Sequence, residues 1–366
     1  MIPGIHINTV AEIMYHFGVG GVTGAAMLYV LYGISVALDS IYSIAINIPD
    51  GATGIAPTAA QQLSAKGEVG KGVYSYLMGG IIAVGICIVL IPFLAVLMPI
   101  LIPFFQENMF LVLLFIVSLL LLSSFSIANV IAFAVAGLLG MLVLGDSTQQ
   151  NLVFPMFVGF FTLPMLMLKT RVLQAEEKFK VSIRLWVPFV AVVLTALAYL
   201  VPGIATPTII VVMAGLFTKI REDEFVTALG AINASTLIFS IVMIDIIGKA
   251  RVGTAIIAQE MYRTFLFGDF MIALLGAAAF GITALVIIRN LRTAIEFFAT
   301  FTHSSMKLVL GSYLVMLVFL TTGATGLLVL GAATAVGVLA LIMSAHRTTL
   351  MGSIILNSLA YYFGKR

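Results

Sequence analysis

The sequence predicts an all-α polytopic membrane protein made of two inverted-topology repeats with broken helices, about 12 to 13 membrane segments in all. Three observations predict it. Hydrophobic residues make up 62% of the chain and charged residues 9%, with a mean hydropathy of +1.20, well beyond the apolar share of a soluble domain. Apolar runs able to cross a hydrocarbon core of about 30 Å recur from end to end. A Pro-Gly break at Pro3-Gly4 returns at Pro202-Gly203, 199 residues further on (202 − 3). Unpaired backbone is costly in lipid, so only helices or closed barrels span it, and runs this continuous are helical.

The first break reads Pro3-Gly4-Ile5-His6-Ile7-Asn8-Thr9, and a short mixed segment with Glu12 and His16 follows it. The span over 22–48 carries Ser35, Asp39, Ser43 and Asn47 at four-residue spacing, a polar stripe that should turn away from lipid. It ends in the helix-breaking tip Pro49-Asp50-Gly51-Ala52-Thr53-Gly54 and a polar stretch with Lys66, Glu68 and Lys71. Apolar segments over 74–103, 109–122, 127–145 and 152–168 come next. Pro92, Pro99 and Pro103 predict kinks or a broken end in the first of these. Ala128, Ala132, Ala136 and Gly140 form a small-residue row that lets helices approach closely.

The loop over 169–184, rich in Lys169, Arg171, Lys178, Lys180 and Arg184, reads as cytoplasmic by the positive-inside rule and as the linker between repeats 1–168 and 185–366. This makes the chain a multi-pass protein of the cell membrane. The second half repeats the order of the first: a span over 184–201, the break Pro202-Gly203-Ile204-Ala205-Thr206-Pro207-Thr208, a short segment, and a polar span over 225–248. A charged tip and four apolar segments over 265–288, 306–322, 327–345 and 350–363 complete it. Each half has an odd number of crossings, which inverts the second relative to the first. The first break has no span ahead of it to match 184–201, so the reading expects a helix missing before Met1.

Cys87, the single cysteine, excludes a disulfide framework or a thiolate metal cluster. A net charge of +3 is too small to argue for nucleic acid. There is no signal peptide of the ordinary form, no P-loop at Gly70-Lys71, no metal-ligand histidine spacing and no nucleophile elbow. The chain therefore reads as something other than an enzyme.

Several stretches in shared order resemble the large membrane subunit of the tripartite tricarboxylate transporters, and more closely the stand-alone archaeal branch of that family. They are Pro3 to Thr9, the Ile46-Asn47-Ile48-Pro49 tip leading into Ala65-Lys66-Gly67-Glu68-Val69-Gly70-Lys71, and Ala228-Leu229-Gly230-Ala231-Ile232-Asn233 with Ile247-Gly248-Lys249-Ala250-Arg251. The last is His346-Arg347-Thr348-Thr349-Leu350-Met351-Gly352. The resemblance implies a permease that moves di- or tricarboxylates by coupling to Na⁺ or H⁺, without a cofactor. It also implies a small membrane subunit and a solute-binding protein as partners, or none in the stand-alone form; a homodimer is a further expectation. Asp50 departs from the family, whose bacterial members tend to carry glycine there.

A helix broken inside the membrane frees N–H groups at one half and carbonyls at the other, giving an anion site and a cation site together. On this reading the substrate candidates are Pro3, Gly4, Asn8, Thr9, Asn47, Pro49, Thr53, Pro202, Gly203, Thr206, Thr208 and Asn233, with Lys249 and Arg251 as attracting cations. The bland alternatives are an interfacial turn at each Pro-Gly, side chains bonded to nearby carbonyls, and basic residues snorkelling to headgroups. Asn233, Thr236 and Ser240 share one helix face and either line a cavity or glue helices. Asp39, Asp50, Asp245 and His6 are the ion-coupling candidates, because a carboxylate inside a span is a functional-site hypothesis by default. Asp245 is alternatively a structural partner of Lys249, four residues on. A rival function is an intramembrane enzyme or lipid-handling protein that uses Asp39, Asp245 and His6.

Overall fold

The structure is a computed structural model that describes residues 7–45, 63, 66–122, 125–145, 152–167, 181–201, 209, 221–248, 250, 252–262, 267–299 and 304–364. Among them there are helices and no strands. Among the described residues six helices are long and apolar enough to cross a membrane, as an all-α membrane protein requires.

The short helix α1 (Ile7–His16) precedes α2 (Gly21–Ser40), which runs on through a π-helical turn at Ile41–Ala45. Helix α3 (Val69–Glu107) passes through Pro92, Pro99 and Pro103 as one continuous element. Of the two outcomes expected, kinks or a broken end, the helix shows no break at these prolines: membrane helices tolerate proline where neighbouring groups and local adjustment satisfy the freed carbonyls. Helices α4 (Met109–Leu122) and α5 (Ile127–Leu144) follow, with the Ser126 hydroxyl accepting from the Asn129 N–H at 3.1 Å to cap α5. Helix α6 runs from Val153–Phe157 through a π turn at Val158–Thr162 to Leu163–Leu166.

In the second half, α7 (Trp186–Ala198) leads to α8 (Glu222–Ile247). Glu222, Asp223 and Glu224 place negative charge at the positive N-terminus of α8. Gly248, at φ 69°, ends it in the left-handed conformation that favours glycine. Then come α9 (Gly253–Met261), α10 (Phe267–Arg289), α11 (Leu291–Ala299), α12 (Ser304–Ile342) and α13 (Gly352–Phe363). Helix α12 bends at Gly323, whose φ of 66° and ψ of −155° no L-residue adopts cheaply, which separates the two apolar segments expected there.

Helix α8 is the centre of the molecule. Of its most apolar stretch 89% is buried, against 22% for α3, and α2, α3, α7 and α10 all pack on it. Glycines set the closest crossings. A Cβ added at Gly33 of α2 would fall 2.1 Å from the Gly276 carbonyl oxygen of α10. One added at Gly230 of α8 would fall 1.9 Å from the Tyr76 carbonyl oxygen of α3, and one at Gly79 of α3 lies 2.2 Å from that of Thr227 on α8. Gly230 follows Gly33 by 197 residues (230 − 33), and Gly276 follows Gly79 by the same number (276 − 79). Thus the second polar helix of each half packs on the long apolar helix of the other.

Helices α5 and α13, with parts of α4, α6 and α12, form a second core. The small-residue row of α5 faces α13: Ala132 and Ala136 are buried, and a Cβ at Gly140 would meet the Ser353 carbonyl oxygen at 2.0 Å. Gly137 lies against Leu356, while Gly159 of α6 lies against Thr334 of α12. These two pairs are related by the same 197 residues (334 − 137 and 356 − 159).

Candidate functional site

The polar residues of the buried interior gather along α8 and the helices around it. In α2 the stripe holds as expected, with Ser35, Asp39 and Ser43 buried; the Ser43 hydroxyl donates to the Asp39 carbonyl oxygen. On α8, the Asn233 amide donates to the Tyr76 hydroxyl of α3 at 2.8 Å, and Ser240 shares a 2.8 Å hydrogen bond with Tyr29 of α2. Tyr199, just past α7, donates to the Thr236 carbonyl oxygen at 3.4 Å. Asn233 and Ser240 therefore join helices. Each bond lets a polar side chain sit in an apolar interior without an unpaired donor or acceptor.

Asn8 joins two helices that are far apart in sequence. Its side-chain oxygen accepts from the Thr254 N–H at 2.9 Å and from the Thr254 hydroxyl at 2.6 Å. Thr254 stands in the first turn of α9, so an asparagine far away in sequence supplies the cap that α9 lacks locally. Gly253 permits this: a Cβ there would lie 3.1 Å from the Asn8 side chain. Thr9 lies within α1. Beside these helices Tyr15, Ile256, Gln259 and Glu260 line an open cavity of 420 Å³.

Asp245 has a neighbour that sequence reasoning missed. Its carboxylate lies near that of Asp269 in the first turn of α10. Asp269 is 4% exposed and accepts from the Tyr262 hydroxyl. The signal for Asp269 was present as a carboxylate opening an apolar run, and the rule applied to Asp39 and Asp245 covers it equally. A second missed residue is Ser75 of α3, whose buried hydroxyl has no hydrogen-bond partner among the described residues.

One end of α8 is charged. Lys66, ahead of α3, pairs with Glu222 at 2.6 Å, and Arg184 with the buried Glu224 at 3.2 Å. Arg221 reaches Asp223 at 3.3 Å and Glu224 at 3.4 Å, and its own N–H donates to Glu224 at 3.0 Å. Glu222 beside Lys66 holds that ammonium above its usual range. The last residue of the basic linker is thereby tied to α8. Among the described residues no group of three or more His, Cys, Asp or Glu is placed to hold a metal.

Of the candidates named from sequence, Asn8, Thr9, Asp39, Asn233 and Asp245 fall within the described residues. Pro3, Gly4, His6, Asn47, Pro49, Asp50, Thr53, Pro202, Gly203, Thr206, Thr208, Lys249 and Arg251 lie outside them. Compared with protein families, characterised proteins and solved structures, the chain matches none.

Proposed function

We propose that the protein is a secondary active transporter for small organic anions such as di- or tricarboxylates, driven by H⁺ or Na⁺ and related to the tripartite tricarboxylate permeases. Its two halves, 1–168 and 185–366, are inverted repeats joined by a cytoplasmic linker. The observation that carries this reading is the exchange of helices at a constant offset: α2 on α10 answers α8 on α3, and α5 on α13 answers α6 on α12. Internal repeats of this sort are the common plan of secondary transporters, which bind substrate near the membrane midplane between the repeats. Buried carboxylates at Asp39 and Asp269, with Asp245 beside the latter, add support, since such charges inside spans mark ion pathways.

On this account the two Pro-Gly breaks and the two tips supply the anion site. Thermal unfolding of the purified protein across an anion panel tests the binding half of the reading. A di- or tricarboxylate is expected to raise the unfolding temperature in a saturable way, because a ligand that binds only the folded state stabilises it by mass action. No response to any carboxylate, with a response to lipid headgroup analogues instead, turns the reading towards a lipid-handling protein.

A further inference from the structure

We propose that the charged end of α8 is an ionic clasp that ties the first half of the protein and the linker onto the second half, and so sets which end of the transporter is closed at rest. Resting on the transport reading, the clasp adds to it the device that fixes the resting orientation.

Three segments meet at this end. Lys66, just ahead of α3 in the first half, pairs with Glu222 at 2.6 Å. Arg184, where the linker ends, pairs with Glu224 at 3.2 Å. The Arg221 guanidinium reaches the Glu224 carboxylate at 3.4 Å and donates to the Ser182 carbonyl oxygen at 3.3 Å. Glu222 and Glu224 both stand in the first turn of α8, so ties from the first half and from the linker converge on one helix turn.

The two carboxylates contribute differently. The Glu224 side chain is 3% exposed, and its Oε1 makes no hydrogen bond among the described residues, so the guanidinium groups of Arg184 and Arg221 balance its charge. Withdrawing them leaves a buried carboxylate uncompensated, which costs far more than breaking a surface pair. Lys66 and Glu222 are more exposed, and such a pair is worth little by itself. Glu224 supplies the strength of the clasp, and Lys66 carries it to the first half.

The other end of the molecule is built without such charges. Shifted back by 197 residues, Glu222, Asp223 and Glu224 fall on Ala25, Ala26 and Met27 (222 − 197 = 25), so α2, the equivalent helix, opens with no acid. Its start packs on α9 instead, where the Met261 sulfur lies 3.5 Å from the place a Gly24 Cβ would take. Asn8 on Thr254 is a neutral tie between α1 and α9. Helix α9 follows the C-terminal end of α8, away from the clasp. In alternating access, inverted repeats exchange contacts between their two ends. Ion pairs made at one end and not matched at the other bias that exchange towards the state in which they are formed.

Hydrogen exchange of the substrate-free protein in nanodiscs tests both ends at once. Lys66→Glu is expected to quicken exchange over 222–230 by roughly 2- to 5-fold, the worth of an exposed ion pair. Glu224→Gln keeps a side-chain oxygen to accept from the Arg221 N–H and is expected to quicken it more. In both variants exchange over 7–16 and 253–261 is expected to slow, because that end closes as the clasp opens. Lys66→Glu combined with Glu222→Lys is expected to restore the wild-type pattern at both ends, with Asp223 and Glu224 keeping the helix start acidic. Quickening confined to 222–230 overturns the proposal, since a merely local tie gives that result. So does an unchanged pattern in both variants, or a charge swap that behaves like Lys66→Glu alone. If the two ends respond in opposite senses but no carboxylate accumulates under any gradient, the transport reading falls and the clasp stands. If carboxylate accumulates and only the clasp end responds, the clasp falls and the transport reading stands.

Discussion

The two cores of the molecule are packed alike and differ in chemistry. In the first, around α8, helices cross at Gly33, Gly79 and Gly230 with backbone against backbone. The second, around α5, α6, α12 and α13, does the same at Gly140, Gly159 and Gly337. The first buries Asp39, Asp269, Asn233, Ser240, Ser75 and the acid-rich start of α8, whereas the second buries Asn129, Thr348, Thr349 and Ser353 and no charge among the described residues. Close packing is thus general to the fold, and ionisable chemistry belongs to one core. Under the transport proposal, ion and substrate belong with the first core, where the ionisable side chains are. Helix α12, which bends at Gly323, contributes to both cores, as do α4 and α6.

The largest effect should come from the charge that only the first core contains. Asp39→Asn is expected to lower ion-driven uptake by roughly 5- to 150-fold, the range of typical coupling free energies, while Ser353→Ala in the second core leaves uptake near wild type. Comparable losses from both substitutions break the division of labour.

Next in size are the glycine crossings, where the two cores should behave alike. Gly230→Ala and Gly140→Ala each place a Cβ on a carbonyl oxygen, at 1.9 Å and 2.0 Å. Each is expected to cost about 1–3 kcal/mol of stability, as overpacking does, measured by thermal or denaturant unfolding in detergent. Gly85→Ala, where nothing lies within 4 Å, is the control and should gain up to about 1 kcal/mol of helix propensity. A large gap between Gly230→Ala and Gly140→Ala would show that the cores are not equivalent in packing.

Much of this was legible in the sequence, and the reasons differ by residue. The stripe Ser35, Asp39 and Ser43 was readable because spacing of four fixes a helix face whatever packs on it. The packing row Ala132, Ala136 and Gly140 was readable for the same reason. The nearness of Asp245 to Asp269 was not, since the two stand on different helices and no periodicity encodes that approach. Sequence spacing pointed instead to Lys249, a neighbour on the same face. Asn8 was singled out as a polar residue at a break, but its partner Thr254 could not be guessed from a position 246 residues away. The prolines of α3 do not end the helix, because lipid enforces helical hydrogen bonding more strictly than water, where the helix-breaking rule is drawn.

Smaller effects probe the first core alone. A double-mutant cycle of Tyr76→Phe and Asn233→Leu is expected to give a coupling of about 0.6–1.7 kcal/mol, the measured span for interhelical hydrogen bonds in membranes. A coupling near zero separates the two side chains and removes one tie between α3 and α8. Smallest of all, Ser75→Ala should change stability by less than about 0.5 kcal/mol or raise it, because its hydroxyl forgoes hydrogen bonding in the folded protein. If the same variant weakens the carboxylate-induced rise in unfolding temperature, the hydroxyl is a substrate ligand.

The central claim is that this chain moves a carboxylate against its gradient. Reconstituted wild-type protein, given a labelled di- or tricarboxylate and an imposed H⁺ or Na⁺ gradient, is expected to accumulate the label above the outside concentration and to lose it when an ionophore collapses the gradient. Equal label on both sides under every gradient, for every carboxylate tried, contradicts the account.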